Sequence, residues 1–231
     1  MKKAVVFTDG ASRGNPGPTG WGAVIASDAQ VAEIGAHIPE GTNNQAELAA
    51  VVATLDFLIT KNSSIDSVTI YSDSTYTISG ATGWIHGWRK RDWQTKTGDP
   101  VKNQPLWKEF DRLQTEANFS VTFSKVKGHA SVPGNERADE IATSFADGET
   151  PELFSGPQEN YTVSLDPEPQ YLETSPLYLS LIDGVAYRDS SWDDCKERVA
   201  GSPAVYKKVR TVAERDELLD KWGVDLADIR E

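Results

Sequence analysis

Residues 44–60 read NQAELAAVVATLDFLIT, a run in which apolar side chains recur every three or four positions. This spacing predicts a helix with one buried face, formed by Leu48, Val51, Val52, Leu55, Leu58 and Ile59. Short apolar segments on both sides of it have the length and composition of strands: 3–8, 20–27, 31–38, 67–72 and 119–126. Further helical patterns begin near Ser74, Leu106 and Pro133. This order of elements predicts an α/β domain with a mixed five-stranded sheet flanked by helices.

The overall composition is that of a folded globular protein. The 231 residues include 38% hydrophobic and 25% charged side chains, and the formal net charge is −12. No apolar run approaches the roughly 20 residues that a membrane-spanning helix needs, so we expect no membrane segment. The four apolar residues after Lys3 are too few for a signal peptide. A single cysteine, Cys195, excludes an internal disulfide and is typical of a reducing compartment, so we expect a cytoplasmic location.

The distribution of charge divides the chain into three parts. Residues 149–176 hold six acidic residues, no Lys or Arg, and five of the twelve prolines, and they carry half of the net charge. Such a composition favours extended backbone and cannot bury much apolar surface. The sequence therefore predicts a first domain over 1–148, an acidic proline-rich linker over 149–176, and a small C-terminal α/β domain over 177–231.

Four acidic residues occupy the ends of predicted core elements. Asp9 and Asp73 each follow an apolar strand, Glu47 falls in the first turn of the long helix, and Asp139 lies in the last helix. Clustered carboxylates are costly to bury without a cation, and oxygen ligands suit Mg²⁺ or Mn²⁺. A pair of such ions suits cleavage of a phosphodiester. Taken singly, each acid could instead be a turn former or a partner of a helix dipole.

The motifs around these acids carry a resemblance. TDG with GNPGP and WGA, TNN-x-x-EL, SDS-x-Y, GW-x-x-GW, PVKN-x-x-LW and KGH-x-x-x-x-x-NE-x-AD occur in order between residues 3 and 146. This stretch resembles a type 1 ribonuclease H of the bacterial ribonuclease HI kind. The resemblance implies a ribonuclease H-like fold and Mg²⁺-dependent hydrolysis of the RNA strand of RNA–DNA hybrids, leaving 5′-phosphate and 3′-hydroxyl ends. It also implies that Asp9, Glu47, Asp73 and Asp139 hold two metal ions, with Asp9 bridging them.

One histidine is implied in the chemistry. His129 stands in the glycine-containing loop Lys127-Gly128-His129-Ala130-Ser131, ten residues before Asp139. The resemblance implies that it assists proton transfer and product departure, which suits a group that titrates near neutral pH.

Contacts to both strands of a hybrid are implied as well. Three amides, Asn15, Asn43 and Asn44, match positions that touch the RNA strand in the minor groove, although turn and helix-cap chemistry would also explain them. The residues implied in binding the DNA strand are Thr42 and Asn103 in a phosphate pocket, Tyr76, Trp84 and Trp88 in an aromatic channel, and Arg89 and Lys90 in a basic protrusion. Many family members have Arg where this chain has Glu40, and the opposite charge should weaken the phosphate pocket.

The C-terminal part carries a second resemblance, to the hybrid-binding domain of eukaryotic ribonucleases H and of viroplasmin. It rests on SWDDCKERVAGSPAVYKKVRT. The resemblance implies that Trp192 and Tyr206 contact DNA and that Lys207 and Lys208 hold phosphates. The aromatic residues could instead fill a small core, and the acidity of the domain favours a protein partner or dimerisation.

Two other functions compete with the hybrid-specific endonuclease. A non-catalytic hybrid-binding or scaffold protein would be favoured by the loss of any proposed metal ligand, and all four are present. A DNA nuclease or resolvase on the same general fold is disfavoured by the amides and the aromatic channel.

Overall fold

The computed structural model describes residues 2–61, 64–128, 132–167 and 177–230. Most of the chain up to Pro167 belongs to a first unit, and residues 177–230 belong to a second. Among the helices in the described ranges, none combines the length and the apolar character that crossing a bilayer requires.

The first unit is built on a mixed sheet. Three antiparallel strands begin it, and two parallel strands follow; the bounds are β1 Lys3–Ser12, β2 Gly17–Ser27, β3 Gln30–Gly41, β4 Ser67–Ser72 and β5 Ser120–Lys125. A sixth short strand, β6 (Ser155–Pro157), pairs with β3, so the order is β5-β4-β1-β2-β3-β6. The predicted α/β class and flanking helices are confirmed, with six strands rather than the predicted five.

Helices cover both faces of this sheet. They are α1 Asn43–Thr60, α2 Thr75–Ser79, a π-helical turn at Gly80–Trp84, α3 Ile85–Lys90, α4 Gln104–Glu116 and α5 Pro133–Ala146. Val6 and Ile25 of the sheet belong to the main apolar core, together with Leu55 of α1 and Phe110 of α4. Because side chains alternate along a strand, the neighbouring positions face the other side, where α5 packs.

Gly22 of β2 allows α5 to approach the sheet closely. A Cβ atom at this position would lie 2.4 Å from the carbonyl oxygen of Ala138 and 2.8 Å from a side-chain carbon of Ile141. Any larger residue would push the helix away from the strand, so this glycine fixes how near Asp139 comes to β1.

The predicted linker is wrong for residues 149–167, which fold onto the first unit. The backbone of β6 pairs with Gln30–Ala32, and the rings of Phe154 and Tyr161 contact each other with centroids 4.9 Å apart. The side chain of Glu33 joins this segment to the sheet through hydrogen bonds. A few specific contacts thus order a segment whose acidic, proline-rich composition indicates an extended linker. Residues 168–176 of the predicted linker lie outside the described residues.

The second unit is a three-stranded antiparallel sheet with two helices, in the order β8-β7-β9. Its elements are β7 Leu177–Ile182, β8 Val185–Asp189, α6 Trp192–Val199, β9 Ala204–Val209 and α7 Val212–Trp222. Leu179 and Val209 form its core with Leu218 and Leu219 of α7. The predicted small C-terminal α/β domain is confirmed.

Candidate active site

Three of the four predicted acids converge at one edge of the sheet. Carboxylate oxygens of Asp9, Glu47 and Asp73 all lie within 4.8 Å of one another. Strands β1 and β4 are parallel neighbours, with Phe7 opposite Tyr71, so the acid that follows each pairing lies at the same end. The sheet topology therefore brings together residues that are far apart in the sequence.

Gly10 allows the start of α1 to lie against β1. A Cβ atom there would be 2.5 Å from the backbone nitrogen of Glu47 and 2.7 Å from the Cβ of Ala46. The glycine of the TDG motif is therefore required by close approach, since any side chain would separate Glu47 from Asp9.

Thr42 fixes the first turn of α1. Its hydroxyl accepts a hydrogen bond from the backbone N–H of Gln45 (3.3 Å), and its own N–H donates to the Gln45 side chain (2.8 Å). This capping box begins the helix at Asn43, so Glu47 lies in the second turn rather than in the predicted first turn. The interpretation of Glu47 as a partner of the helix dipole loses its basis, because that effect is confined to the first turn.

The acidic cluster is electrostatically unfavourable without a cation. Burial, and then the charges of Asp73 and Asp139, raise the pKa of Asp9 from its ordinary 3.8 to about 8, although a hydrogen bond from Gly10 N–H opposes the rise. Burial and the neighbouring acids also raise the pKa of Glu47 well above its usual range. The Oε2 atom of Glu47 is buried and has no hydrogen-bond partner among the described residues. Buried oxygen donors in this state fit a hard divalent cation.

The fourth predicted acid, Asp139, acts on the cluster from α5. Its charge raises the pKa values of Asp9 and Glu47, although its carboxylate is not one of the three that lie within 4.8 Å. Helix α5, which packs on the face of the sheet opposite α1, thus contributes a fourth negative charge to the site.

Two further residues at the site were missed by the sequence analysis. Asn135 is buried, and its Nδ2 lies 3.5 Å from Oδ2 of Asp9. Within the part of the chain that the structure describes, its Oδ1 has no hydrogen-bond partner. A Cβ atom at Gly128 would lie 2.2 Å from Oδ2 of Asp73. Both residues belong to the KGH and NE-x-AD motifs, so the motifs contained a signal for them. The predicted His129 lies outside the described residues.

Aromatic residues surround the hydroxyl of Tyr76. This oxygen accepts hydrogen bonds from Asn103 Nδ2 (3.1 Å) and Trp107 Nε1 (2.9 Å). Trp107 is fully buried, whereas Trp84 is 47% exposed and makes an edge contact with Trp88 at 5.8 Å between ring centroids. The predicted channel residues are therefore adjacent, and Trp84 presents its ring to solvent.

The other predicted contact residues in the first unit differ in how free they are. Asn15, Asn43 and Asn44 are exposed, and Asn43 Nδ2 lies 3.5 Å from Oε1 of Glu47. Lys90 is exposed, whereas Arg89 forms an ion pair with Asp111. Part of the positive charge of the basic protrusion is therefore already neutralised.

In the second unit, the four predicted contact residues separate into two groups. The ring centroid of Trp192 lies 5.8 Å from that of Tyr178 and 5.4 Å from that of Tyr206. Lys208 Nζ lies 5.4 Å from the ring centroid of Tyr178. Lys207 pairs with Leu179, whose side chain is in the core, and so faces the opposite side of the sheet. Of these two lysines, only Lys208 lies beside the aromatic cluster.

Comparisons with known proteins agree with this geometry. The family model described as RNase H matches residues 1–147. A Ribonuclease H from Acidovorax sp. (strain JS42) is 45% identical over 142 residues, covering 62% of this chain and 93% of that protein. Another, from Erythrobacter litoralis, is 43% identical over 147 residues, covering 64% of this chain and 98% of its own.

Solved structures resemble the first unit as well. LC9-RNase H1, a type 1 RNase H with the type 2 active-site motif, matches with a TM-score of 0.59 and 27% identity over 69% of this chain and 80% of its own. LC11-RNase H1, whose structure was solved in complex with RNA/DNA hybrid, matches with a TM-score of 0.50 and 26% identity over 63% and 97%. The chain therefore belongs to the ribonuclease H family, metal-dependent enzymes that degrade the RNA of RNA–DNA hybrids.

Proposed function

We propose that this protein is an endoribonuclease that hydrolyses the RNA strand of RNA–DNA hybrids by a two-metal-ion mechanism, leaving 5′-phosphate and 3′-hydroxyl ends. The observation that carries the proposal is the convergence of Asp9, Glu47 and Asp73 beside an electrostatically coupled Asp139. A non-catalytic scaffold would have no need for clustered acids whose pKa values are raised by burial and by mutual repulsion.

The four acids Asp9, Glu47, Asp73 and Asp139 would hold the metal ions. Mg²⁺ is the proposed physiological ion, with Mn²⁺ as a possible substitute, because every donor is a hard oxygen. When bound, such ions activate a water nucleophile and stabilise the charge that develops on the scissile phosphate. The unpartnered Oε2 of Glu47 supports this assignment, since buried carboxylate oxygens otherwise have partners.

The remaining catalytic work belongs to the protein. Asn135 would orient Asp9 through its amide, and the burial of Asp9 and Glu47 would exclude competing water from their carboxylates. We propose His129 as the group that moves a proton during turnover and assists product departure, because imidazole titrates near neutral pH.

The hybrid would be recognised along the surface next to the acids. Asn15, Asn43 and Asn44 are exposed amides that can bind the 2′-hydroxyls of the RNA strand. The DNA strand would lie along Trp84 and Trp88, with contacts to Thr42, Tyr76, Arg89, Lys90 and Asn103. The Asn103 amide already donates to Tyr76, which would orient it for a phosphate.

A gel assay tests the nuclease. Labelled hybrid, RNA duplex and DNA duplex are each incubated with the full chain, with and without Mg²⁺. We expect that only the hybrid is cleaved, and only when Mg²⁺ is present. Asp9→Asn should reduce cleavage to background while hybrid binding persists, because it removes a central charge but little volume. Asp56→Asn, on the exposed side of α1, is the matched control and should cleave normally. Cleavage by Asp9→Asn near the wild-type rate would exclude the metal assignment.

The second unit would add a hybrid-binding surface. Trp192, Tyr206 and Lys208 form a cluster of exposed rings and one cation, a combination that stacks on bases and contacts phosphates. The rival is a protein partner or a second copy of the chain, which the acidity of this unit favours.

The two lysines allow a paired test of that surface. Lys208→Ala should weaken hybrid binding and reduce its salt dependence by about one counterion. Lys207→Ala, on the opposite face, should have a smaller effect. Equal losses would mean that both lysines contact the hybrid, whereas no loss from either change in a low-salt titration would favour the rival.

The predicted cytoplasmic location stays a prediction.

A further inference from the structure

Residues 149–163 cross the outer edge of the nuclease sheet after α5 ends. Ser155–Pro157 pairs with β3, and the backbone N–H of Glu33 donates to the carbonyl oxygen of Phe154 at 2.8 Å. The match to the RNase H family ends at residue 147. This segment, which we call segment 149–163, therefore lies outside the family match.

The segment is attached through the buried carboxylate of Glu33. This side chain accepts hydrogen bonds from Arg137 Nε and Nη2 (both 2.8 Å), from the backbone N–H of Phe154 (3.0 Å) and from the hydroxyl of Tyr161 (2.7 Å). Nη2 of Arg137 also donates to the carbonyl oxygen of Glu152 at 2.9 Å. Strand β3, helix α5 and segment 149–163 thus meet at one charged, fully bonded cluster.

The cluster lies on the side of α5 that is away from the proposed metal site. Asn135 and Asp139 are four residues apart and so share one face of the helix, whereas Arg137, two residues from each, points about 200° away. Asn135 contacts Asp9, and Arg137 is bound to Glu33. Contacts on both sides therefore define the rotation of α5 about its axis.

We propose that Glu33, Arg137 and Tyr161, together with segment 149–163, are positioning residues that hold α5 in the rotation that directs Asp139 and Asn135 at Asp9. This segment thereby sets the affinity of the site for its divalent ions. The inference rests on the proposed function in one respect, that Asp139 is a metal ligand.

Arg137→Lys in the full chain tests the proposal. Lysine keeps the positive charge but cannot bind both oxygens of Glu33 and the Glu152 carbonyl together. The measurement is Mn²⁺ binding to the protein without nucleic acid, from the free-ion signal in electron paramagnetic resonance. Removing an outer-shell partner typically costs 10–100-fold in metal affinity, and for this more distant contact we expect a loss of about three- to tenfold.

Arg112→Lys is the matched control. Arg112 of α4 also bonds two glutamates, Glu109 and Glu116, but on an exposed surface. Its Mn²⁺ titration should superimpose on that of the wild type. All titrations are made well below the melting temperature of each variant, checked by circular dichroism. If Arg137→Lys does not fold, Tyr161→Phe, which removes one hydrogen bond, should still weaken Mn²⁺ binding by about twofold.

A second readout separates positioning from simple stabilisation. Hybrid cleavage by Arg137→Lys should need more Mg²⁺ for half-maximal rate, while kcat at saturating Mg²⁺ and KM for hybrid stay near wild type. A lower melting temperature with an unchanged Mn²⁺ titration would overturn the proposal and leave the nuclease assignment intact. Absence of hybrid cleavage by the wild type would instead refute the proposed function. The Mn²⁺ titrations of the wild type and the variants would still test the positioning role.

Discussion

Two buried glutamates in the same sheet domain have opposite surroundings. Glu33 is buried, but four donors, three of them from Arg137 and Tyr161, bind its oxygens, so its pKa lies below the ordinary value despite the cost of burial. Glu47 is buried among other acids, one of its oxygens has no partner in the described ranges, and its pKa lies well above the ordinary value. The first glutamate is neutralised by the protein itself, whereas the second requires a cation from solution. Burial of a carboxylate thus indicates a site only when its partners are missing.

The largest difference between the two glutamates should appear in the rate of hybrid cleavage when each is replaced by glutamine. Glu47→Gln should lower hybrid cleavage by more than about 100-fold, since even outer-shell partners of a metal cost 10–100-fold. Glu33→Gln should retain measurable cleavage at high Mg²⁺. Initial rates on labelled hybrid at saturating metal provide the measurement. Comparable rates for the two variants would remove the distinction drawn between the two sites.

Stability should respond in the reverse order. Glu33→Gln leaves Arg137 paired only with the exposed Glu140 and should cost up to about 3 kcal/mol in the free energy of unfolding. Glu47→Gln should raise the stability of the metal-free protein, because it removes one of several repelling acids. Urea denaturation in the presence of a chelator measures both. A loss of stability in Glu47→Gln would show that its charge is already compensated.

The pH dependence of stability should separate the two kinds of carboxylate. The native protein keeps the proton of Asp9 up to about pH 8, whereas the unfolded chain loses it near 3.8, so metal-free stability should fall as pH rises through that window. The free energy of unfolding should fall by about 1.4 kcal/mol per pH unit for each proton that the native state binds and the unfolded chain does not. Glu33 acts oppositely: its contribution is present above its ordinary pKa of 4.5 and is lost as pH falls below it. Unfolding curves from well below pH 4 up to pH 8 test both trends, and added Mg²⁺ should flatten the decline above pH 4.

The smallest effect should come from Tyr161→Phe. This change removes a single hydrogen bond to Glu33 and should cost about 1 kcal/mol. Thermal unfolding at neutral pH measures it, with Tyr187→Phe in the second unit as a comparison for the loss of a phenolic hydroxyl. An effect as large as that of Glu33→Gln would mean that Tyr161, rather than Arg137, neutralises the carboxylate.

The acids of the candidate site could be predicted from the sequence because local patterns mark them. Asp73 directly follows β4, and Asp9 comes just after the apolar run of its strand, although β1 continues past it to Ser12. Parallel pairing of β1 with β4 brings the two acids to the same end of the sheet. The Glu33 cluster has no local pattern, since its partners Arg137 and Tyr161 lie 104 and 128 residues away in the chain. Only the folded sheet could reveal that an acidic, proline-rich segment has a binding position on it.

The separation of Lys207 and Lys208 follows from the periodicity of a strand. Adjacent residues of a strand point to opposite faces, so two neighbouring lysines on β9 could not both lie beside Trp192. In contrast, the ion pair between Arg89 and Asp111 links two helices and depends on their packing, which no local pattern predicts.

The short strand β6 also bears on how copies of the protein associate. It covers the end of β3 at Gln30–Ala32, including the buried Val31, so that part of the sheet edge offers no free backbone groups. A chain cut at residue 148, where the family match suggests an end, would expose an unpaired strand with an apolar side chain. Such edges accept strands from other molecules and are common starting points of aggregation. We therefore expect segment 149–163 to limit edge-to-edge pairing at this part of β3, and an isolated first unit should aggregate less when it extends to residue 167 than when it ends at 148.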